Sequence, residues 1–255
     1  MEEMKNQDMI ALLLAHRSVR EFTAQPITEE TIDTIVACAQ QAPTSSYLQA
    51  YTIIRVTDAD KRAALAAYAG GQEWVRKAPL VLLFCADLHR LDVLVKPEDA
   101  NVLHNTELYT VSVIDAALAA QKALIAAQAL GLGGVVVGGV RNETEKMAQC
   151  FALPELVFPM FLLCLGYPQT LPEQRPRLDR QFIYDVDRYP KLPDAQQLAD
   201  YEESVRQYFL RASGGKSDRG WTPRCRFAIS KKPRYELEAF LKKAGFMTKQ
   251  GPAQY

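Results

Sequence analysis

One stretch of the chain, residues 108–130, constrains the fold more than any other. Val113, Ile114, Leu124 and Ile125 fall on one face at helical spacing, and many of the other positions are alanine. A helix that is apolar or small almost all round is usually buried in a core or packed against another subunit. Residues 108–130 therefore predict a long internal helix that ends at Gly131.

Short β-rich segments and further helices surround this stretch. Strands are predicted at 51–56, 80–86, 133–139 and 160–165, and the run 80–86 is continuously apolar, as in a buried strand. Helices are predicted at 9–15 after Asp8, from Thr28 to Pro43, at 58–69, from the capping box Asn142-x-x-Glu145 to 151, at 198–212 and at 235–244. Residues 89–106 have weak periodicity and 167–196 contain five prolines, so these segments are expected to be irregular or extended. The pattern predicts an α+β or mixed fold with helices around a small sheet.

Composition excludes several classes of protein. The 255 residues carry 30 basic and 30 acidic side chains, and this zero net charge argues against a nucleic-acid partner. The acidic N-terminus is unlike a signal peptide, and the longest apolar runs, 78–86 and 156–166, are shorter than the ~18–20 residues of a spanning helix. Five widely spaced cysteines without a C-x-x-C pattern favour no metal site and a reduced, cytoplasmic location.

Two polar segments near the N-terminus are candidate binding sites. In the segment His16-Arg17-Ser18-Val19-Arg20, two arginines three residues apart can bind a phosphate through charge-assisted hydrogen bonds. The same arginines can equally complement the negative end of the first helix. The hydroxyl-rich segment 43–49 can bind a polyol, but it is also ordinary turn chemistry.

Two later segments are candidates of the same kind. The glycines of 131–139 fail the dinucleotide pattern G-x-G-x-x-G because Val136 stands where glycine is needed. Gly138-Gly139 can let a flat ring approach the backbone, although tight packing against the long helix explains these glycines as well. Arg175-Pro176-Arg177 places two cations on a stiff stretch, which is otherwise typical of a solvated surface. The sequence contains no nucleophile elbow, metalloprotease motif or phosphate-binding loop.

The order of these segments resembles the nitroreductase family, in particular its oxygen-insensitive NADPH nitroreductases and NADPH–flavin oxidoreductases. The resemblance runs from about residue 8 to 245. It rests on HRSVR at 16–20, TSSYLQ at 44–49, GGQ at 70–72, LGLGGVVVGGVRN at 130–142 and LCLGYP at 163–168.

This resemblance implies an α+β fold with a central mixed, mostly antiparallel sheet flanked by helices. It implies an intertwined homodimer with one FMN in each of two sites at the subunit interface. Residues 1–166 would form the FMN-binding core, and 167–255 a C-terminal extension that completes the same domain and its nucleotide site.

The resemblance also assigns FMN contacts. The phosphate and pyrimidine contacts are His16, Arg17, Ser18 and Arg20. The loop around the flavin contributes Thr44, Ser45, Ser46 and Gln49, although Pro43 and Thr44 replace two serines of the family pattern. A flavin-side amide comes from Gln72, and the backbone amides near N5 come from Gly138 and Gly139. A basic pair, Arg175 and Arg177, reaches the cofactor, with Arg175 in place of a lysine.

For NADPH, the resembling branch places an arginine just after the helix near residue 212, where it contacts the 2′-phosphate. Arg211 is one position from that place, and Lys216 and Arg219 follow in the same loop. These three residues are the candidate NADPH contacts.

The function implied is an FMN-dependent NAD(P)H oxidoreductase. Hydride would pass from NADPH to flavin N5 and then to a small nitroaromatic, quinone or flavin acceptor by a ping-pong mechanism. Because the cofactor performs the chemistry, no catalytic side chain is expected. The alternatives are a flavin reductase that releases free reduced FMN, a non-enzymatic flavin-binding protein, and a phosphate-ester binding module without flavin.

Overall fold

The computed structural model describes residues 2–231 and 233–249, with side chains from residue 8 onwards. These residues form two compact units. The sheet unit comprises 2–14, 18–171 and 234–249, and the helical unit comprises 15–17, 172–231 and 233. The division into a core at 1–166 and an extension at 167–255 stays a prediction.

Four strands form the sheet. They are β1 (Tyr51–Arg55), β2 (Leu80–Asp87), β3 (Gly133–Val137) and β4 (Val157–Gly166). Their order is β1-β2-β4-β3, and every neighbouring pair is antiparallel. The one parallel pairing among the described residues is an isolated bridge between Ser18 and Gly134. The predicted α+β class is confirmed.

Ten α-helices accompany the sheet within the described residues. The sheet unit contains α1 (Glu2–Leu14), α2 (Glu29–Gln40), α3 (Ala59–Tyr68), α4 (Glu73–Lys77), α5 (His89–Leu94), α6 (Thr106–Ala129) and α7 (Thr144–Cys150). The helical unit contains α8 (Ala195–Ala212) and α9 (Trp221–Lys231), and the chain then returns to the sheet unit with α10 (Glu236–Lys243). Short 3₁₀ helices lie at Ser45–Tyr47, Ala100–His104, Gly138–Glu143 and Arg180–Phe182.

Both faces of the sheet are buried. All eight residues of β2 are buried, which explains its continuous apolar run. Because successive side chains of a strand point to opposite faces, Leu82 and Phe84 join one apolar cluster, whereas Leu83 and Cys85 join another. Burial raises the pKa of the Cys85 thiol to about 12, so this side chain is neutral and packs as a small apolar residue.

The long helix α6 is the core element that the sequence predicts. Its N-terminus is capped by Asn105, whose side-chain oxygen accepts a hydrogen bond from the Leu108 N–H at 2.8 Å. Ala116, Ala119 and Ala123 are fully buried, so the small residues allow close packing. By length and hydropathy α6 is also the one described helix able to cross a membrane, and 50% of its most apolar window is buried within the chain. The same properties are typical of core helices.

Several elements differ from the predictions. The helices α4, α5 and α9 were not predicted, and neither α5 nor α9 has a buried residue that would give a periodic apolar pattern. The first helix begins at Glu2 rather than after Asp8. The predicted capping box of Asn142 is wrong, because the residue before α7 is Glu143, which makes no side-chain capping bond. Asn142 instead donates to the Tyr68 carbonyl and accepts from Arg234.

The helical unit consists of irregular chain and two joined helices. A capping box between Asp194 and Gln197 begins α8, as both reciprocal hydrogen bonds are present. Glu202 on α8 accepts a hydrogen bond from the Thr222 N–H at 2.6 Å at the start of α9. Residues 172–194 contain no strand or α-helix; apart from the 3₁₀ helix Arg180–Phe182 they are irregular, with a positive φ of 58° at Asp187.

Candidate functional site

The segment that carries Ser18 and Arg20 lies against the edge strand β3. The Val19 N–H donates to the Gly134 carbonyl at 3.0 Å. A side chain at Gly133 would place its Cβ 2.6 Å from Val19 Cγ2, so glycine is required for this close approach. Ser18 and Arg20, on either side of the buried Val19, are half-buried. A Cβ at Gly134 would lie 2.5 Å from Leu165 Cδ2 and 3.0 Å from Leu124 Cδ1, so both glycines serve close packing.

Arg20 joins this segment to α4. Its guanidinium carbon lies 5.6 Å from the centre of the Trp74 ring, within the range of a cation–π contact. The Trp74 indole Nε1 is buried and has no hydrogen-bond acceptor among the described residues. A buried donor without a partner is uncommon in proteins, because leaving it unsatisfied costs about 1–3 kcal/mol. An arginine and a free indole donor thus lie beside one another.

Gln72 and Gly139 meet immediately before α4. The Gln72 side-chain amide donates to the Ala69 carbonyl at 2.6 Å. A Cβ at Gly139 would lie 2.7 Å from that carbonyl oxygen and 2.8 Å from Gln72 Nε2. Gly138 lies next to the guanidinium of Arg141, which donates to the Met160 carbonyl. The structure therefore brings Gln72 and the glycine pair together, and Arg20 approaches the same short segment through Trp74.

The hydroxyl-rich loop is held by a buried carboxylate that the sequence reasoning missed. Asp115 on α6 is fully buried, and its two oxygens accept hydrogen bonds from the backbone N–H of Ser45 at 3.1 Å and of Ala50 at 3.0 Å. Between these anchors, Ser46, Tyr47 and Gln49 all have positive φ, between 49° and 60°. Non-glycine residues adopt this conformation at a cost that the surroundings must offset. The Asp115 carboxylate fixes both ends of the strained loop.

The side chains of this loop remain available. Ser45, Ser46 and Gln49 are exposed and Thr44 is half-buried. No hydrogen bond from these four side chains is found within the described residues. The loop therefore presents hydroxyl and amide groups on a fixed backbone. A signal for Asp115 was present in the sequence, since it is the one charged residue between Glu107 and Lys122 of an otherwise apolar helix.

The loop and the glycine pair lie at opposite edges of the sheet. The loop leads into β1, and the glycine pair follows β3, with β2 and β4 between them. Three strand spacings correspond to about 14 Å. Within one chain, the structure brings together Gln72 and Gly139, with Arg20 nearby, but it places Thr44, Ser45, Ser46 and Gln49 at the other edge.

The remaining predicted FMN contacts belong to the helical unit. Arg17 donates to the carbonyls of Ala15 and Pro172, and His16 is half-buried. Arg175 lies 5.7 Å from the ring centre of Phe209. Arg177 lines a surface cavity of about 310 Å³ together with Asp179, Asp200 and Tyr201.

The three predicted NADPH contacts differ in their surroundings. Arg211 forms an ion pair with Glu173 at 2.6 Å, which raises the pKa of Arg211 and lowers that of Glu173. Lys216 and Arg219 are exposed, and the Arg219 carbonyl accepts a hydrogen bond from Arg224. Arg224, which the sequence reasoning missed, stacks on Phe209 with 3.2 Å between its guanidinium carbon and the ring centre.

The fold is an antiparallel four-stranded sheet packed on the long helix α6, with the glycine-flanked strand β3 at one edge. Comparisons with known proteins identify the family that shares this fold. The model of the nitroreductase family matches residues 13–167, and that of the nitroreductase C-terminal domain matches 175–249. The chain belongs to the nitroreductase family.

Individual relatives cover almost the whole chain. An FMN reductase (NADPH) of Bacillus subtilis is 40% identical over 93% of this chain and 97% of its own length. An oxygen-insensitive NADPH nitroreductase of Salmonella typhimurium is 38% identical over 94% of this chain and 98% of its own. Among solved structures, the NADPH:FMN oxidoreductase of Vibrio harveyi complexed with NAD+ has a TM-score of 0.86 at 33% identity, covering 94% of this chain and 99% of that one.

Proposed function

We propose that this protein is an FMN-dependent NAD(P)H oxidoreductase that reduces small acceptors such as nitroaromatics, quinones or flavins. Membership of the nitroreductase family supports this function, as do relatives named FMN reductase (NADPH) and oxygen-insensitive NADPH nitroreductase. The observation that carries the proposal is the meeting of Gln72 and Gly139 next to the Arg20–Trp74 contact. These groups come from three distant parts of the sequence.

The chemistry of these groups fits a flavin mononucleotide. Its phosphate requires a cation, which Arg20 supplies. Its ring carbonyls and nitrogens require amide donors, and the Gln72 side-chain amide has a second N–H besides the one that it donates to the Ala69 carbonyl. The ribityl chain requires polar partners, which the free side chains of Thr44, Ser45, Ser46 and Gln49 provide. The glycines at 138 and 139 leave the backbone accessible to a flat ring.

The residues have distinct tasks in this proposal. FMN, when bound, accepts a hydride from NADPH and passes reducing equivalents to the acceptor. Arg20 and Ser18 bind the cofactor's polar groups, and Gln72 orients its ring edge. The backbone amides of Gly138 and Gly139 would donate hydrogen bonds to the flavin near N5, as the family resemblance implies. No side chain has to transfer a proton or form a covalent bond, and a ping-pong order of substrates completes the proposal.

The positions of the two clusters support a homodimer. Since the loop with Thr44, Ser45, Ser46 and Gln49 lies at the β1 edge and the glycine pair at the β3 edge, each site would combine the loop of one subunit with the glycine pair of its partner. Ile10 on α1 and Ile114 on α6 expose 56% and 49% of their surface. Exposed apolar side chains of this size are typical of surfaces that a partner covers.

The assignments in the helical unit rest on the resemblance. His16, Arg17, Arg175 and Arg177 remain proposed FMN contacts, and Arg211, Lys216 and Arg219 remain proposed NADPH contacts. A cytoplasmic location and the absence of nucleic-acid and membrane partners also stay predictions.

Acceptor-dependent oxidation of NADPH tests the function. The FMN-loaded protein should oxidise NADPH in the presence of a nitroaromatic or a quinone, with parallel lines in double-reciprocal plots. The variant Arg20→Met should weaken FMN binding at least about tenfold, because it removes a charge-assisted hydrogen-bond donor. Arg76→Met is the matched control, since Arg76 is an exposed arginine on α4 paired with Glu73.

The outcomes separate the candidate functions. Failure to take up FMN would contradict the proposal and favour a phosphate-ester binding module. FMN uptake without any NADPH oxidation would indicate a non-enzymatic flavin-binding protein. The name of the Bacillus subtilis relative, FMN reductase (NADPH), favours free flavin as a second candidate acceptor. Turnover with added FMN far above that with quinones and nitroaromatics would identify this flavin reductase.

A further inference from the structure

Arg224 occupies an unusual position within the helical unit. Its guanidinium carbon lies 3.2 Å from the ring centre of Phe209, and Arg175 approaches the same ring at 5.7 Å. The Arg224 Nε donates to the Arg219 carbonyl at 2.9 Å, and Nη2 donates to the Ser217 hydroxyl at 2.6 Å. These contacts use two of the five N–H donors of an arginine. The guanidinium is therefore fixed in place with donors to spare.

The charge around Arg224 is uncompensated. Burial is the largest effect that lowers the pKa of Arg224, and the positive charges of Arg219 and Arg175 lower this pKa further. No carboxylate forms an ion pair with Arg224, Arg219 or Arg175 among residues 2–231 and 233–249. The charge of the neighbouring Asp218 raises the pKa of Arg206. Arg224 and Arg175 share the Phe209 ring, and the positive charge of Arg219 adds to their mutual repulsion, which a bound anion would relieve.

Arg211 shows the opposite arrangement, although it lies on the same helix as Phe209. Glu173 accepts a hydrogen bond from Arg211 Nη2 at 2.6 Å, and a second one from Nε at 3.4 Å. An anion that binds Arg211 must first displace this carboxylate. Arg224 has no such competitor.

We propose that Arg224, with Arg219 beside it, binds the 2′-phosphate of NADPH and is the main determinant of NADPH preference. This inference rests on the proposed function and assigns a residue that the sequence did not suggest. Phe209 supports the guanidinium plane, Ser217 orients it, and Arg175 adds to the local positive potential. A phosphate monoester accepts several N–H donors at once, which matches a planar guanidinium with free donors.

The test compares NADPH with NADH for Arg224→Met, which keeps an apolar chain over Phe209 but removes the charge. The KM for NADPH should rise about tenfold or more, whereas the KM for NADH should change less than about twofold. Arg224→Lys should recover part of the loss, since it restores the charge but not the planar fork. Arg226→Met is the matched control, an exposed arginine of the same helix, and should leave both values near those of the wild type.

A binding measurement makes the test independent of turnover. Titration calorimetry with adenosine 2′,5′-bisphosphate should give an affinity at least about tenfold lower for Arg224→Met than for the wild type, with adenosine 5′-monophosphate unaffected. This readout applies even if neither nucleotide reduces the protein, so failure of the proposed function is distinguishable. The Kd for FMN should not change, because Arg224 binds NADPH and not FMN in this proposal. A variant that loses only FMN affinity would assign Arg224 to the cofactor phosphate and overturn the proposal.

Two further results would overturn it. One is an unchanged ratio of the two KM values and unchanged bisphosphate affinity in Arg224→Met. The other is a larger effect of Arg211→Met on both readouts, which would return the 2′-phosphate to Arg211. If Arg224→Met does not fold, as judged by circular dichroism and Tm, Arg224→Lys and Arg219→Ala decide by the same two readouts.

Discussion

The sheet unit and the helical unit present polar groups in different ways. In the sheet unit, the candidate flavin contacts are held by buried groups, namely the Asp115 carboxylate under the 45–50 loop and the close packing of Gly139 on Ala69. In the helical unit, the candidate nucleotide contacts are exposed or half-buried arginines whose availability depends on whether a carboxylate pairs with them. On the proposed assignments, the flavin contacts are held by groups of the buried core, whereas the availability of the nucleotide contacts depends on surface ion pairs.

Removal of the Asp115 carboxylate should give the largest effect. Asp115→Ala leaves the amides of Ser45 and Ala50 without acceptors, and hydrogen bonds to a charged group are worth about 1.5–3 kcal/mol each. We expect unfolding free energy to fall by about 3–5 kcal/mol in urea titrations, together with a loss of FMN affinity.

Ser112→Ala is the control for this prediction. Ser112 is equally buried on α6, but its hydroxyl donates only to the Tyr109 carbonyl of its own helix. Its loss should cost about 1 kcal/mol. Equal costs for the two variants would show that the loop does not depend on the carboxylate.

Substitution of Gly139 should have an intermediate effect. In Gly139→Ala the new Cβ would lie 2.7 Å from the Ala69 carbonyl oxygen, a backbone atom that cannot move freely. Overpacking of this kind costs about 1–3 kcal/mol, and FMN affinity should fall as Gln72 is displaced. Gly138→Ala meets the end of the Arg141 side chain and should cost less. The reverse order in thermal unfolding would disprove the proposed packing.

Thiol labelling should show the smallest effect and requires no substitution. The pKa values of Cys85 and Cys164 in the sheet are raised to about 12 by burial, so at pH 8 both stay protonated and unreactive. Cys38, Cys150 and Cys225 are only partly buried and should react with a thiol reagent before Cys85 and Cys164. Mass spectrometry of partially labelled protein checks the order, and early labelling of Cys85 or Cys164 would contradict the buried core.

The sequence predicted the elements whose patterns are periodic. The boundaries of α2, α6 and β2 follow from Thr28, the alanine-rich stretch and the apolar run, because local pattern and core burial agree there. The helices α5 and α9 were not predicted, since neither buries an apolar face that would leave a periodic signal. The capping box predicted at Asn142 was wrong because the Asn142 side chain forms its hydrogen bonds with Tyr68 and Arg234, which are distant in sequence.

The sequence predicts which types of residue form the candidate site, but not how the fold arranges them. The arginines, hydroxyls and glycines stood out in the sequence, yet the role of Asp115 depends on a contact with residues 65 and 70 positions away. The difference between Arg211 and Arg224 likewise depends on which arginine Glu173 reaches. Such pairings are decided by the tertiary fold and leave no local signature.

Anaerobic titration of the FMN-loaded protein with NADPH tests the central claim most directly. We predict that about one equivalent of NADPH bleaches the visible absorbance of the bound flavin and that a quinone added afterwards restores it. A flavin that stays oxidised under excess NADPH, or a purified protein that takes up no FMN, would contradict the assignment as an FMN-dependent oxidoreductase.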